Sequence, residues 1–193
     1  KDFFETGVTQ ITSLAFSKAT EGSSTSLTYA NTDASGIIPE NHLKKNNFGV
    51  RQSGKFFNDR LNVAATGNYT SQTINNRPTN GLYFNPINNL YSHPRAYTLD
   101  NLKTFEVFDP VKNMVVQNYP GVKIDDSNEN PYWLINREKT VDTNNFFNGS
   151  IALDYKVNEW FHLTSRYSYN RSESNFQKRM YASTAEALAH PTG

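Results

Sequence analysis

Cysteine, charge and long hydrophobic runs are all scarce or missing in this 193-residue sequence. Without cysteine the chain forms no disulfide framework and no thiolate metal site, although this does not identify its compartment. Charged residues account for 19% of the chain, below the quarter that is usual in soluble domains, and the net charge is only +1. That charge gives no electrostatic basis for binding nucleic acid. No run of eighteen apolar residues is present, which excludes a transmembrane helix.

Aromatic and uncharged polar residues take the place of the missing charge, and with 11 Tyr and 13 Phe the mean hydropathy is still -0.69. This composition is typical of β-rich proteins outside the cytoplasm. Six segments alternate between apolar and polar residues with a period of two, which predicts β-strands. They lie near residues 8–18, 24–31, 46–57, 60–72, 145–157 and 160–171. The fifth is the clearest, because Phe147, Ile151 and Leu153 share one face while Ser150 and Asp154 share the other.

The connections between these strands alternate between short and long. Three are hairpin turns of a few residues, and between them lie connections of about a dozen residues (32–45) and about seventy residues (73–144), against a usual length of roughly 4–6. In an antiparallel meander, successive connections lie at opposite ends of the sheet, so the short turns share one end and the long loops the other. This asymmetry is typical of outer-membrane barrels, and it predicts an all-β antiparallel meander forming part of a large transmembrane β-barrel with long external loops. Since six strands cannot close a barrel and open sheet edges are not tolerated in lipid, we expect the chain to belong to a longer polypeptide.

Aromatic residues gather at the ends of the predicted strands, while small and aliphatic residues such as Val63, Ala65 and Leu153 occupy the middles. Two aromatic belts around an apolar band suit a protein surrounded by a membrane. The alternative is that aromatic residues simply favour strands. The residues near the short turns are Phe16, Phe56, Phe57, Tyr155, Trp160 and Phe161, and those near the long loops are Tyr29, Phe48, Tyr69, Phe147, Tyr167 and Tyr169.

Seven short phrases, spread in order over nearly the whole chain, resemble TonB-dependent outer-membrane transporters of the SusC/RagA type. Each phrase alone is weak, whereas seven in sequence are fairly specific. They are KDFFETG (1–7), GIIPEN (36–41), KFFNDRL (55–61), NNRPTNGLYFNP (75–86), FDPVKNMVVQN (108–118), NPYWLINR (130–137) and LDYKVNEW (153–160).

This resemblance implies a barrel of about 22 strands in the outer membrane of a Gram-negative bacterium of the Bacteroidetes type. It implies import of glycans, oligosaccharides or peptides rather than catalysis, and it implies no cofactor. The implied partners are a SusD-like lipoprotein that caps the external face, the membrane lipid, and the TonB complex, which supplies energy through a plug domain that this chain does not include. The chain as a whole, residues 1–193, then represents early barrel strands with an external insertion at about 73–144.

The long insertion is dense in Asn, Pro and aromatic residues and contains the candidate contacts for substrate or partner. Flat aromatic rings suit the apolar faces of sugars, and arginines suit hydroxyl or carboxylate groups. The alternative is that these side chains pack the insertion onto itself or against the partner lipoprotein, since a loop of this length needs a core of its own. The candidates are Tyr83, Phe84, Tyr91, Arg95, Tyr132, Trp133 and Arg137.

Catalytic and metal-binding patterns are missing from the sequence. The four histidines are scattered, and no catalytic triad, phosphate loop or nucleophile elbow is present. The acidic stretch 124–130 offers oxygen ligands for Ca²⁺ but lacks the EF-hand spacing, which favours a solvated turn. Two other functions also fit an alternating chain with exposed aromatics: a soluble all-β glycan-binding module and a surface adhesion protein.

Overall fold

The structure, a computed structural model, describes residues 3–185 and is built mainly from β-strands. In chain order the elements are β1 (Val8–Thr20), β2 (Ser23–Ser35), β3 (His42–Phe56), β4 (Leu61–Asn75), α1 (Pro86–Ser92), α2 (Leu99–Lys103), β5 (Glu106–Asp109), β6 (Met114–Gln117), α3 (Pro131–Arg137), β7 (Glu138–Lys156) and β8 (His162–Met180).

Six long strands form one antiparallel sheet in the order β1-β2-β3-β4-β7-β8, and β5 and β6 form a separate hairpin. Every pair of neighbours in the large sheet is antiparallel, so the predicted antiparallel meander is confirmed, although the chain also contains three short helices. Within the described residues, β1 and β8 pair with one neighbour each and lie at the two edges of an open sheet.

The strands extend further toward the long connections than the sequence predicts. The strand expected near 46–57 begins at His42, and the one expected near 145–157 begins at Glu138. Most of the extra residues are polar on both faces, as where Thr73 lies opposite Thr143. Apolar ones such as Leu43 and Ile74 lie on the polar face, so the extensions carry no regular alternating signal. The long connections are correspondingly shorter than predicted, 36–41 and 76–137.

The predicted tight turns lie together at the other end of the sheet, which we call the short-turn end. The turn between β3 and β4 is unusual because Phe57, Asn58 and Asp59 all have positive φ, at 58°, 52° and 64°. Three consecutive left-handed residues reverse the chain within a very short distance, at a steric cost that only glycine would avoid.

The insertion between β4 and β7 is folded into three short helices and a hairpin, whereas the sequence predicts a loop there. Helices α1 and α3 begin in the same way, with an asparagine cap followed by proline in the first turn. The side chain of Asn85 accepts hydrogen bonds from the backbone of Ile87 and Asn88, and that of Asn130 accepts one from Tyr132. Such caps satisfy backbone donors that the first turn leaves without partners.

Buried apolar side chains concentrate in and around this insertion, at the long-loop end of the sheet. Trp133 is fully buried, and Phe3, Ile38 and Ile135 form a cluster in which Phe3 also packs edge-on against Tyr132, with ring centroids 5.1 Å apart. None of the buried apolar residues in the described chain belongs to the six long strands. The large sheet therefore has no hydrophobic core on either face.

Candidate functional site

One face of the large sheet, here called the apolar face, carries most of the hydrophobic residues of the strands. Residues directly opposite each other in antiparallel strands point to the same side, so the pairing register carries this face from strand to strand. Val63 lies opposite Leu153, and Phe48 lies opposite Tyr69, which lies opposite Phe147. The face is open, with Leu14 68% and Ile151 49% exposed. It comprises Leu14, Phe16, Leu27, Tyr29, Phe48, Val50, Phe56, Leu61, Val63, Ala65, Tyr69, Phe147, Ile151, Leu153, Tyr155, Leu163, Tyr167 and Tyr169.

The opposite face, here called the polar face, is lined mainly by small hydroxyl and amide side chains. It also carries a few charges and the exposed apolar side chains of Ile11, Phe146 and Phe176. One row across the sheet runs through Ser17, Ser26, Arg51, Thr66, Ser150 and Ser168. Neighbouring hydroxyls on this face bond to each other, with 2.7 Å between the Oγ1 of Thr66 and the Oγ of Ser150. Polar side chains of this kind can bond to one another and to solvent, so this face needs no protein layer over it.

Aromatic rings on the apolar face form two rims. At the long-loop end, the rings of Tyr29 and Phe48 lie 4.8 Å apart and those of Phe147 and Tyr169 lie 6.2 Å apart. At the short-turn end, Phe56 is 52% exposed on the face itself, and Phe57 and Trp160 are 71% and 84% exposed in the adjoining turns. Between the rims most side chains are aliphatic or small, apart from Gln52 and Tyr167, which gives the face an apolar band bordered by aromatic rings.

A buried polar network holds the insertion together. The side-chain amide of Gln117 donates to Glu129 at 2.7 Å and accepts from the backbone N–H of Asn130 at 2.6 Å. The side-chain amide of Asn130 donates to the carbonyl groups of Leu102 and Asn118, at 2.9 and 2.8 Å. Three residues thereby connect β6, α2 and α3 by hydrogen bonds that are shielded from water and are therefore costly to break.

The segment after β8 closes over this network. Thr184 accepts a hydrogen bond from the indole of Trp133 at 3.1 Å, and Ser183 accepts one from the backbone of Gln117 at 2.8 Å. The backbone N–H of Ala185 donates to Glu129 at 3.2 Å. Burial raises the pKa of Glu129 to about 7, and the hydrogen bond from Gln117 partly opposes that rise. The insertion is thus anchored both to β7 and to the chain that leaves β8.

The sequence matches no protein-family model and no curated protein. None of the described helices is long and apolar enough to cross a membrane. Across residues 3–185, no three His, Cys, Asp or Glu side chains lie close enough together to hold a metal ion. The functional argument therefore depends on the two faces of the sheet and on the surface of the insertion.

Three of the predicted contact residues lie on the surface of the insertion. Tyr91 is 76% exposed and Tyr83 is 53% exposed, and Arg95 is exposed as well. Tyr91 lies near the end of α1, and Arg95 lies in the connection that follows it. These side chains are available to a ligand or to a partner protein.

The other four predicted contact residues support the insertion itself. Trp133 is fully buried, so in this conformation it offers no ring face to a sugar, and Tyr132 is half-buried. Arg137 bonds both carboxylate oxygens of Glu106 at 2.7 Å, and its guanidinium lies 4.5 Å from the ring centre of Tyr181. The ring of Phe84 faces the ammonium group of Lys178 at 4.8 Å. Packing within the insertion, the alternative weighed from the sequence, accounts for these positions.

The acidic stretch 124–130 differs from the predicted solvated turn at its last acidic residue. Asp125 does cap a turn, since its carboxylate accepts hydrogen bonds from Ser127 and Asn128, and the bond from Ser127 lowers its pKa. Glu129, however, is fully buried. Sequence reasoning missed this residue because its partner Gln117 is brought to it by the tertiary fold, and no spacing along the chain signals the pair.

Proposed function

We propose that this chain forms part of the wall and external surface of a TonB-dependent outer-membrane importer of the SusC/RagA type. The observation that carries the proposal is the exposed apolar face lying opposite a polar face on the same sheet. Contiguous apolar surface of this extent is unusual on a soluble monomer and marks a surface that is covered by another apolar phase. In a membrane barrel, lipid covers that face and the polar face lines a wet interior.

The dimensions of the apolar band fit a bilayer. On β4 the band runs from Leu61 to Tyr69, nine residues, and a tilted transmembrane strand needs about 9–11. Aromatic rims at both ends of the band match the two interfaces, where amphipathic rings are favoured. The bare edges of β1 and β8 would pair with further strands of the same barrel, because unpaired backbone groups are very unfavourable in hydrocarbon.

The insertion would then lie outside the cell, at the end of the sheet away from the short turns. Its exposed side chains, Tyr83, Tyr91 and Arg95, would contact an oligosaccharide, a peptide or a SusD-like lipoprotein. Ring stacking and bidentate hydrogen bonds are the chemistry that such ligands offer. Energy coupling to TonB would occur through a plug domain, as the resemblance implies.

Leu153→Arg in the full-length protein tests the lipid-facing assignment. An arginine near the midplane of the lipid face should destabilise the barrel by about 2–4 kcal/mol, because its charge must leave water. Ser150→Arg is the matched control, since it lies on the same strand three residues away and on the polar face. The measurement is the free energy of unfolding in urea, in lipid vesicles. Equal losses for the two variants would contradict the assignment of faces.

The competing proposal is that the chain is a soluble glycan-binding module. Its solubility in the absence of detergent distinguishes the two proposals. If the apolar face packed against a second sheet, the protein would stay monomeric and folded in plain buffer, and Leu153→Arg would destabilise it without any lipid present. Folding that requires detergent or lipid would support the importer instead.

The role of the insertion is tested by replacing Tyr83, Tyr91 and Arg95 together with alanine. These side chains are exposed, so the fold should persist while substrate uptake or recovery of the partner lipoprotein falls by about tenfold, the loss of a few good contacts. Alanine at Val111, 92% exposed at the tip of the β5–β6 hairpin, is the control for a surface change. Unchanged uptake together with unchanged partner recovery would exclude the assigned contact role.

A further inference from the structure

A groove of about 460 Å³ lies across β4, β7 and β8, at the edge of the apolar face nearest the long-loop end of the sheet. Its walls combine three aromatic rings with polar and charged groups. It is lined by Tyr69, Asn145, Phe147, Tyr169, Arg171 and Glu173.

The groove straddles the change from apolar to polar surface. Phe147 lies opposite Arg171 in the pairing of β7 with β8, and the next residues on the same face, Asn145 and Glu173, also lie opposite each other. On β8, Arg171 is therefore the first charged side chain above Tyr169 on this face. In a bilayer this level corresponds to the boundary between acyl chains and headgroups.

The guanidinium of Arg171 has spare hydrogen-bonding capacity. The side chain of Arg171 is 67% exposed, and its Nη2 lies 3.7 Å from the Oε2 of Glu173, which is too long for a hydrogen bond. An exposed pair of this kind contributes little. Beside it, Asn145 accepts a bond from the hydroxyl of Tyr69 at 3.3 Å through its oxygen, which leaves its amide nitrogen as a further donor.

We propose that this groove binds the phosphate headgroup of a membrane lipid. Arg171 forms the bidentate contact that its planar guanidinium makes with phosphate, and Asn145 adds a neutral donor. The rings of Tyr69, Phe147 and Tyr169 contact the first carbons of the acyl chains. The inference rests on the proposed function, because a headgroup reaches this level only if the apolar face is turned to lipid.

Glu173 offers a second test of the proposal, because its negative charge repels an anionic ligand. Arg171 and Glu173 together have no net charge, so binding depends on the geometry of the guanidinium rather than on a general positive field. Removing the carboxylate with Glu173→Gln should therefore strengthen the binding of phosphate, whereas Arg171→Ala should weaken it. A surface that merely attracts lipid tails would respond to neither change.

The test uses the full-length protein in a non-ionic, phosphate-free detergent. Dihexanoyl phosphatidylglycerol is added in increasing amounts, and native mass spectrometry measures the fraction of protein that carries the lipid. Arg171→Ala should weaken binding about tenfold, the effect of one charge-assisted contact, and Glu173→Gln should strengthen it about threefold. Arg166→Ala is the matched control, since Arg166 lies on the polar face of the same strand, and it should leave binding unchanged. If Arg171→Ala fails to fold, Arg171→Lys keeps the charge without the planar fork and should weaken binding about threefold.

The proposal would be overturned if Arg171→Ala bound the lipid as tightly as the wild type. If Arg171→Ala does not fold, the same holds for Arg171→Lys. Inorganic phosphate binding as tightly as the lipid would also overturn the proposal, because that result would identify a free anion as the ligand. A protein that inserts into vesicles but fails this test would disprove the groove alone. A protein that does not insert at all would disprove the proposed function, so the two failures can be told apart.

Discussion

Glu129 should make the stability of the insertion depend on pH. Its carboxyl group is fully buried between Gln117 and the backbone of Ala185, and burial raises its pKa from 4.5 to about 7. The negative charge of Glu138 raises this pKa further, while the nearby Lys178 lowers it. The folded insertion therefore holds the proton of Glu129 over a pH range in which the unfolded chain has already lost it.

The sign and size of the effect follow from this difference in proton binding. A raised pKa gives stability that is fully present below pH 4.5 and is lost as the pH rises toward 7. At about 1.4 kcal/mol for each pKa unit, the loss amounts to about 3 kcal/mol between pH 4.5 and pH 8. His93 has the opposite effect on the pH dependence of stability. Burial lowers its pKa, so the stability linked to its neutral form is lost as the pH falls below 6.5.

Hydrogen exchange at the amides of residues 129–137, corrected for the intrinsic rate at each pH, gives the free energy of local opening. Comparing the wild type with Glu129→Gln at every pH isolates this one group, since His93 is the same in both proteins. The free-energy difference between the two should change by about 3 kcal/mol from pH 4.5 to pH 8, in favour of Glu129→Gln at high pH. Two parallel curves would refute the reasoning.

Two further predictions concern the core of the insertion and the tightest turn. Trp133→Ala should lower the local opening free energy of α3 by about 3–5 kcal/mol, whereas Trp133→Phe should lose much less, and hydrogen exchange measures both. Asn58→Gly should stabilise the protein to unfolding in urea by about 0.5–1 kcal/mol, because glycine adopts the φ of 52° without strain. Asn62→Gly, inside β4, should destabilise it instead, and a gain there would contradict the argument from φ.

The sheet was predictable wherever one face of a strand is apolar. Along β7 the alternation from Phe147 to Tyr155 predicts both the strand and its faces, because successive side chains point to opposite faces of the sheet, one of them apolar and the other polar. Nearer the long-loop end, alternation between apolar and polar residues no longer predicts the strands. The backbone ladder continues there without any preference for apolar residues on either side, so hydrogen bonding alone maintains the strand and hydrophobicity gives no sign of it.

The folded interior of the insertion was predictable only in part. The pairs Asn85–Pro86 and Asn130–Pro131 are sequence signals for a helix start, and weighing them as caps rather than as turns would have predicted α1 and α3. The contact between Gln117 and Glu129 has no such signal. Its partners come from different elements, and only the packing of α3 against its neighbours brings them within hydrogen-bonding distance.

The long polar ends of the strands and the folded insertion have a common physical explanation. A strand needs about 9–11 residues to cross a bilayer, yet β7 and β8 each have 19. The surplus lies at the long-loop end, and contacts to the insertion are concentrated there. Arg77 pairs with Asp142 of β7 at 3.0 Å, and Lys178 of β8 bridges Glu138 at 3.0 Å while facing Phe84. The strands thus continue past the apolar band and support the insertion. In the proposed barrel, the point where alternation stops along each strand would mark the level at which the wall leaves the lipid.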